Sequence, residues 1–250
     1  MVLKNDKIKF VKLLKIKFYN FNDNDNDFKR LIYKPGLFLF PSGPGLASIE
    51  TSSLYLKSLK KANYVFFDSG YFVILLRIFK NIKVIKFSGY RFLKLFFNFL
   101  KDHKNKSIFL IDPTKKKSLS NKNYIKKIGL KNIYNYISPY YNPNNLLDKK
   151  LLKKIKKIKP NYIMTNIGGG TQEILGLYLK NNLNFKTTIL CTGGAISYFT
   201  GDEAPINNIF DKLFLGWLIR IIFNPKFFLI RYLKTFKLLL IIWKNKVYIE

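Results

Sequence analysis

Residues 160–173 read PNYIMTNIGGGTQE. An apolar run from Tyr162 closes on three glycines, and a helix-compatible stretch starts behind them. The run is short, β-rich and not strictly alternating, which predicts a strand buried on both faces, as in a parallel sheet. The same punctuation recurs in FLFPSGPG from Phe38, YVFFDSG from Tyr64, SIFLIDP from Ser107 and TTILCTGG from Thr187. Helical patterns fall between these runs. LLDKKLLKKIKKIK from Leu146 places Leu147, Leu151, Ile155 and Ile158 along one stripe with lysines opposite, the pattern of a helix packed on a sheet. Alternating strands and helices predict an α/β, Rossmann-like doubly wound, mainly parallel sheet, in which ligands sit beyond the carboxyl ends of the strands. Asp68, Asp112, Gly168 and Gly193 fall at those ends.

At 250 residues and 48% hydrophobic composition, the chain can bury one substantial core. Lys and Arg number 45 against 14 Asp and Glu, a net charge of +31 that favours polyanions: nucleic acid, anionic lipid or a diphosphate. Many of these lysines are expected simply to solvate the surface. No zinc, KH or RRM signature accompanies the charge, so nucleic acid is not the expected partner. The single cysteine, Cys191, excludes an internal disulfide, and its apolar setting predicts a buried structural thiol. The first residues lack a continuous apolar core and a small-residue cleavage site, so they do not read as a secretion signal. No stretch reaches about 18 uncharged apolar residues, which argues against a spanning helix. The run NDNDNDF, residues 22–28, resembles a calcium loop only superficially. Counted from Asp23, the required Gly and Glu are Phe28 and Lys34, so a polar turn is expected. His103 stands in a polar loop and reads as surface.

Four ordered signatures resemble the WecG/TagA/CpsF glycosyltransferase family. VFFDSGYFVILLRIF with KFSGYRFLKLF matches the family's strand ending in Asp-Gly and its later basic-then-Gly element at Asp68, Gly70, Lys86 and Gly89. PNYIMTNIGGGTQE resembles the strand and GxPKQE loop, retaining Gly168, Gln172 and Glu173, with Gly170 and Thr171 replacing Pro and Lys. ILCTGGAISYFTGDEAP resembles GGAFDFxAG…RAP, keeping Gly194, Ala195, Gly201, Ala204 and Pro205 but placing Ser197 and Glu203 where Asp and Arg are usual. GWLIRIIFNPKFFLIRY is similar to the EWLxRLxxEPxRxxRRY ending at Trp217, Arg220, Pro225, Arg231 and Tyr232. Together the signatures span roughly residues 38–232, far more specific than one glycine loop.

The resemblance implies a metal-independent, inverting transfer from a UDP-sugar, of N-acetylmannosamine type or a related hexose, to a polyprenyl-diphosphate-linked sugar in surface polysaccharide or teichoic acid biosynthesis. No cofactor or metal is expected. A carboxylate at a strand's carboxyl end suits a general base, so Asp68 is the candidate; the alternative is an N-cap for the following helix. Gln172 joins it as the second expected catalytic residue. The amides of Gly168, Gly169, Gly170 and Thr171 open a helix and suit a diphosphate, with Glu173 alongside; a flexible connection with Glu173 favouring the helix start is the alternative. Gly70 and Gly194 are expected at the substrate through the same resemblance. Arg220, Arg231 and Lys86 are the expected cations for the departing diphosphate, against snorkelling arginines and a solvated lysine. Ser42 sits loosely on a substrate-side element, where a plain Pro-Gly turn fits equally.

From Leu213 to Trp243 the chain is dense in Leu, Ile, Phe and Trp, yet interrupted by Arg220, Lys226, Arg231, Lys234 and Lys237. That is an interfacial pattern, with Pro225 dividing the segment into two helices. A core helix or an oligomer interface is the alternative. These readings divide the chain into an N-terminal extension (1–35), a Rossmann-like core (36–205) and a C-terminal membrane-associating helical appendage (206–250), working peripherally on the inner face of the plasma membrane. Ser197 and Glu203 keep open a catalytically impaired member acting as a membrane-bound assembly partner. Self-association stays open too.

Overall fold

The structure, a computed structural model, describes residues 8–22, 24–202, 221–222 and 225–250. Among these, nine strands form one sheet in the order β6-β5-β7-β8-β3-β4-β2-β1-β9. They are β1 (Phe10–Leu13), β2 (Ile16–Tyr19), β3 (Gly36–Leu39), β4 (Tyr64–Phe66), β5 (Ser107–Asp112), β6 (Asn132–Ile137), β7 (Tyr162–Thr165), β8 (Thr188–Cys191) and β9 (Val247–Ile249). From β6 across to β2 every pairing is parallel, and β1 and β9 close the edge antiparallel. The doubly wound, mainly parallel sheet expected from the sequence is present. Each of the five apolar runs contains a strand.

The chain leaves β5 for β6 on one side and returns to β7 on the other; likewise β3 lies between β4 and β8. Both reversals open a crevice at the carboxyl ends, the place where doubly wound sheets bind ligands.

Helices cover both faces. On one, α3 (Ser53–Lys61), α4 (Gly70–Lys80), α7 (Lys149–Ile158), α8 (Thr171–Asn182) and α11 (Lys237–Lys244) pack with Leu37, Leu39, Phe109 and Ile111. On the other, α1 (Asp25–Ile32), α5 (Gly89–Asp102) and α6 (Lys115–Ile128) pack with Phe38, Phe40, Ile108 and Leu110. Leu37 and Phe38 facing opposite layers is the period-2 alternation of a strand with both faces covered. The second layer is aromatic: the Phe40 ring lies 4.8 Å from Phe66 and 4.9 Å from Phe92. Short helices α2 (Gly43–Leu46) and α9 (Ser197–Thr200), two 3-10 turns (Gly193–Ile196 and Lys234–Phe236) and α10 (Pro225–Leu233) complete the set among the described residues.

Local sequence readings meet the structure unevenly. In the lysine-rich helix Leu151 and Ile155 are fully buried, but Asp148 caps the helix, which leaves Leu147 outside it and exposed. The acidic run at 22–28 is more than a turn: Asn24 accepts from the Asp27 amide and starts α1. His103 is partnered rather than free on the surface, stacking on Phe99 at 3.9 Å and bonding Tyr33 Oη and the Phe99 carbonyl through its two ring nitrogens. Residues 10–19 form a hairpin whose second strand pairs with β4, and β9 returns to pair with β1. Strand pairing therefore crosses both boundaries drawn from the sequence.

Cys191 is wholly buried, and burial pushes its thiol up, as a structural thiol requires. It backs Gly176, where a Cβ would stand 2.7 Å from both Cys191 Sγ and Leu37 Cδ1. Glycine lets α8 approach β8 and β3 closely. Gly176→Val is expected to destabilise the fold by about 3 kcal/mol through overpacking, measured by urea unfolding; an unchanged midpoint would show that the layers can separate.

Candidate functional site

At the carboxyl end of β4 the chain reads Phe67-Asp68-Ser69-Gly70 before entering α4. Ser69, not Asp68, is the N-cap, its hydroxyl accepting from the Phe72 amide at 3.2 Å. The alternative reading of Asp68 as helix cap is thereby removed. Asp68 is half-buried and accepts from the Gly89 amide at 2.8 Å, which ties the end of β4 to the start of α5. Gly89 lies against the ends of β8 and β3: a Cβ there would come into ordinary van der Waals contact with the Thr192 carbonyl at 3.4 Å and Phe40 Cβ at 3.5 Å.

From Thr192 the wall continues to Gly193, whose amide donates to Gln172 Oε1 at 2.7 Å. Gln172 Nε2 donates to Glu173 Oε1 at 3.1 Å, and Glu173 Oε2 accepts from the Gly170 amide at 2.7 Å. Five contacts thus run from Asp68 through Gly89, Thr192, Gly193, Gln172 and Glu173 to Gly170. They join the carboxyl ends of β4, β8 and β7 into one rim. The carboxylate and the glycine loop lie at the same, carboxyl, end of the sheet, three strand positions apart.

Within that rim the expected residues divide. Gly168 and Gly169 are exposed, and a Cβ on Gly168 or Gly170 would meet nothing within 4 Å. Gly170, at φ +93°, holds a conformation that L side chains rarely adopt, so this loop presents bare backbone to open space before Thr171 starts α8. Gln172 is 2% exposed and Glu173 1%, and both are engaged inside the protein. Glu173 therefore closes the loop onto its helix rather than facing the crevice, and Gln172 braces two loops. Gly194 lies in the 3-10 turn beside that brace, and Ser197, where the resemblance expects Asp, is buried at its end. Ser42 precedes α2, its hydroxyl buried without a hydrogen-bond partner among the described residues. Next to it Gly43 packs so tightly that a Cβ would lie 2.9 Å from both Ser69 Oγ and Thr235 Cγ2. Gly70 is the first residue of α4, and Lys86 lies half-buried three residues before Gly89. Arg220, Glu203 and Trp217 lie outside the described residues; Arg231 is placed on α10.

The other reversal, between β5 and β7, holds a polar group that sequence reading singled out only at Asp112. Asn121 and Asn166 each donate an amide hydrogen to Asp112 Oδ1 at 2.7 Å. A polar residue directly after each apolar run was the available signal. Burial pushes the Asp112 carboxyl above the ordinary aspartate range, against the lowering effect of those two amides. The folded form then holds its proton more tightly than the unfolded chain does. Stability from this group is present below the ordinary aspartate range and lost as pH rises through the raised value. Melting temperatures of the native chain are expected to fall relative to Asp112→Asn as pH rises above the ordinary aspartate range; parallel curves would refute the shift.

Fold and site together define a doubly wound α/β protein with a carboxylate and a bare-backbone glycine loop at the carboxyl end of one sheet. The chain belongs to the glycosyl transferase WecG/TagA/CpsF family, whose profile matches residues 12–249. Among curated proteins it is similar to the N-acetylglucosaminyldiphosphoundecaprenol N-acetyl-beta-D-mannosaminyltransferases of Staphylococcus aureus strains NCTC 8325 / PS 47, COL and MSSA476, each 30% identical over 82 residues. That alignment covers 33% of this chain, which spans about a third (32%) of the length of each relative.

Proposed function

We propose that this chain transfers a sugar, of N-acetylmannosamine type or a related hexose, from a UDP-sugar to a polyprenyl-diphosphate-linked sugar in the building of a cell-envelope polysaccharide. The observation that carries the reading is the continuous rim from Asp68 to Gly170. It puts a carboxylate and the exposed backbone of Gly168 and Gly169 at the same end of the sheet, an arrangement that supports displacement of a diphosphate by a hydroxyl. The relatives' names give N-acetylglucosaminyl-diphosphoundecaprenol as their acceptor, and we extend that acceptor class to this chain.

In this reading Asp68 takes the proton of the acceptor hydroxyl as its oxygen attacks the anomeric carbon, and the UDP leaves from the opposite face, inverting the centre. Gly168, Gly169 and Thr171 offer amides to the leaving diphosphate at the start of α8, where the helix dipole favours negative charge, while Gly170, its amide held by Glu173, shapes the loop. Gln172 and Glu173 act as positioning residues for that loop. Lys86 and the arginines Arg220 and Arg231 supply fixed positive charge in place of a metal ion. Gly70, Gly194 and Ser42 shape the remaining walls.

Among the described residues no helix is long and apolar enough to cross a membrane. We propose peripheral attachment to the inner face of the plasma membrane, with the carboxyl-terminal helices at the interface. The test is transfer from UDP-sugars to a synthetic lipid-diphosphate acceptor, with direct donor binding beside it. Donor binding and transfer together support the reading; donor binding without transfer to any such acceptor would favour a catalytically impaired assembly partner. Affinity for nucleic acid without affinity for UDP-sugars would overturn it.

A further inference from the structure

The sheet ends differently at its two edges. At one, β9 is only three residues long, and short edge strands resist unwanted pairing. At the other, β6 runs for six residues, and no strand lies beyond it among the described residues. Ser138 donates its amide to the Asp112 carbonyl at 2.9 Å, so Ser138, Tyr136 and Tyr134 direct their peptide groups toward β5. Ile133, Asn135 and Ile137 therefore turn theirs outward. The side chains of Tyr134 and Ile137 are exposed, one on each face of this open edge.

Two helices flank β6 at a single residue. Asn135 donates its side-chain amide to Ser118 Oγ on α6 at 2.9 Å, and Lys154 on α7 donates to the Asn135 carbonyl at 2.9 Å. Both helices are cationic: residues 115–159 hold 14 of the chain's 45 Lys and Arg against one acid, Asp148. That acid is buried, accepting from the Tyr136 and Tyr141 hydroxyls and the Leu151 amide. No exposed carboxylate in this segment offsets its lysines.

We propose that β6 is a docking edge for an extended acidic segment of a partner protein, which adds to the sheet as a further strand. A strand's alternating donors and acceptors match the outward peptide groups of Ile133, Asn135 and Ile137, while its carboxylates meet the lysines of α6 and α7. Lys154 is the guard of the edge, a cation laid on an outward carbonyl as natural edges use to prevent self-pairing. An acidic strand replaces it on both counts, giving the Asn135 carbonyl a backbone N–H and the ammonium a carboxylate. A second copy of this chain would bring the same lysines and be repelled. Lipid headgroups and nucleic-acid phosphates answer the charge but not the ladder of peptide groups. The edge stands five strand positions from β4, where Asp68 follows, so docking leaves that carboxylate untouched.

The test is titration of the full chain with a blocked peptide of alternating Glu and Val, seven residues long, by calorimetry. A peptide with Lys for Glu should not bind. A peptide with Pro for Val keeps the charge but cannot form a strand, and its affinity should be lower by about tenfold or more. Ile137→Pro removes one outward amide while leaving the β5 pairing intact, as edge strands tolerate; it should weaken the Glu-Val peptide about tenfold. Lys154→Gln, which leaves the backbone unchanged, should weaken it several-fold and flatten its salt dependence, and this variant decides the matter if Ile137→Pro does not fold. Equal binding of the proline peptide, parent-like affinity in both variants, or tighter binding of oligothymidylate or phosphatidylglycerol vesicles at this edge would each overturn the proposal.

Discussion

Asp68→Asn is expected to lower transfer turnover by about 10²–10⁴-fold while leaving UDP-sugar affinity within about twofold of the parent. The substitution isolates one property. Asp68 Oδ1 accepts from the Gly89 amide, and an asparagine carbonyl oxygen accepts the same bond, so the β4–α5 tie survives. What disappears is the capacity to hold a proton taken from the acceptor hydroxyl. Asp68→Ala removes the tie as well and should add a loss of stability of about 1 kcal/mol, seen as a lower melting temperature that Asp68→Asn lacks. Initial rates at saturating donor and acceptor, with donor affinity by calorimetry, separate these effects. Full turnover in Asp68→Asn would remove Asp68 from the chemistry and pass the role to another group on the rim.

The fold was largely legible because parallel strands buried on both faces leave a strong mark: apolar runs such as Ser107–Asp112 that stop on a polar or turn residue. The edge was harder to read. Residues 10–19 alternate lysine with large apolar side chains, and only the paired register of β1, β2 and β9 shows that they extend the sheet. Composition alone could not distinguish that hairpin from a peripheral arm, because its partners are distant in sequence, β4 at 47 residues and β9 at 234 to 238.

The site was legible in its residues but not in their division of labour. Asp68 and Ser69 are both good N-caps, and sequence cannot say which one turns its oxygen toward the free amides. The structure gives the cap to Ser69 and sets Asp68 Oδ1 on the Gly89 amide instead. Gln172 and Glu173 stand out in GGGTQE, yet their burial follows from α8 pressing on β8 through Gly176, a contact invisible in the local stretch. His103 was misread for the same reason, since Tyr33 comes to it from 70 residues away.

Gln172→Ala should separate a bracing role from direct catalysis. In the parent, its amide spans the gap between the Gly193 amide and the Glu173 carboxylate, with both ends shielded from water. Truncation leaves a part-buried Gly193 amide without its acceptor and takes one donor from a carboxylate that is 1% exposed. Orphaning such groups costs about 1–3 kcal/mol each, so a loss of about 3 kcal/mol in urea unfolding is expected. Loosening Gly193 and the Gly168–Gly170 loop together should weaken UDP-sugar binding about tenfold or more, because the loop amides no longer hold one arrangement. A residue acting only on the reacting atoms would lower turnover with donor affinity intact. Gln172→Glu probes the same contact by charge: the Gly193 amide keeps an oxygen acceptor, but two carboxylates now face each other where an amide met one. Like charges at that distance favour protonation of one of the pair. Donor affinity of this variant should therefore recover toward the parent as pH falls, whereas Gln172→Ala stays weak throughout. Parent-like donor affinity in Gln172→Ala would show that the rim holds its shape without the brace.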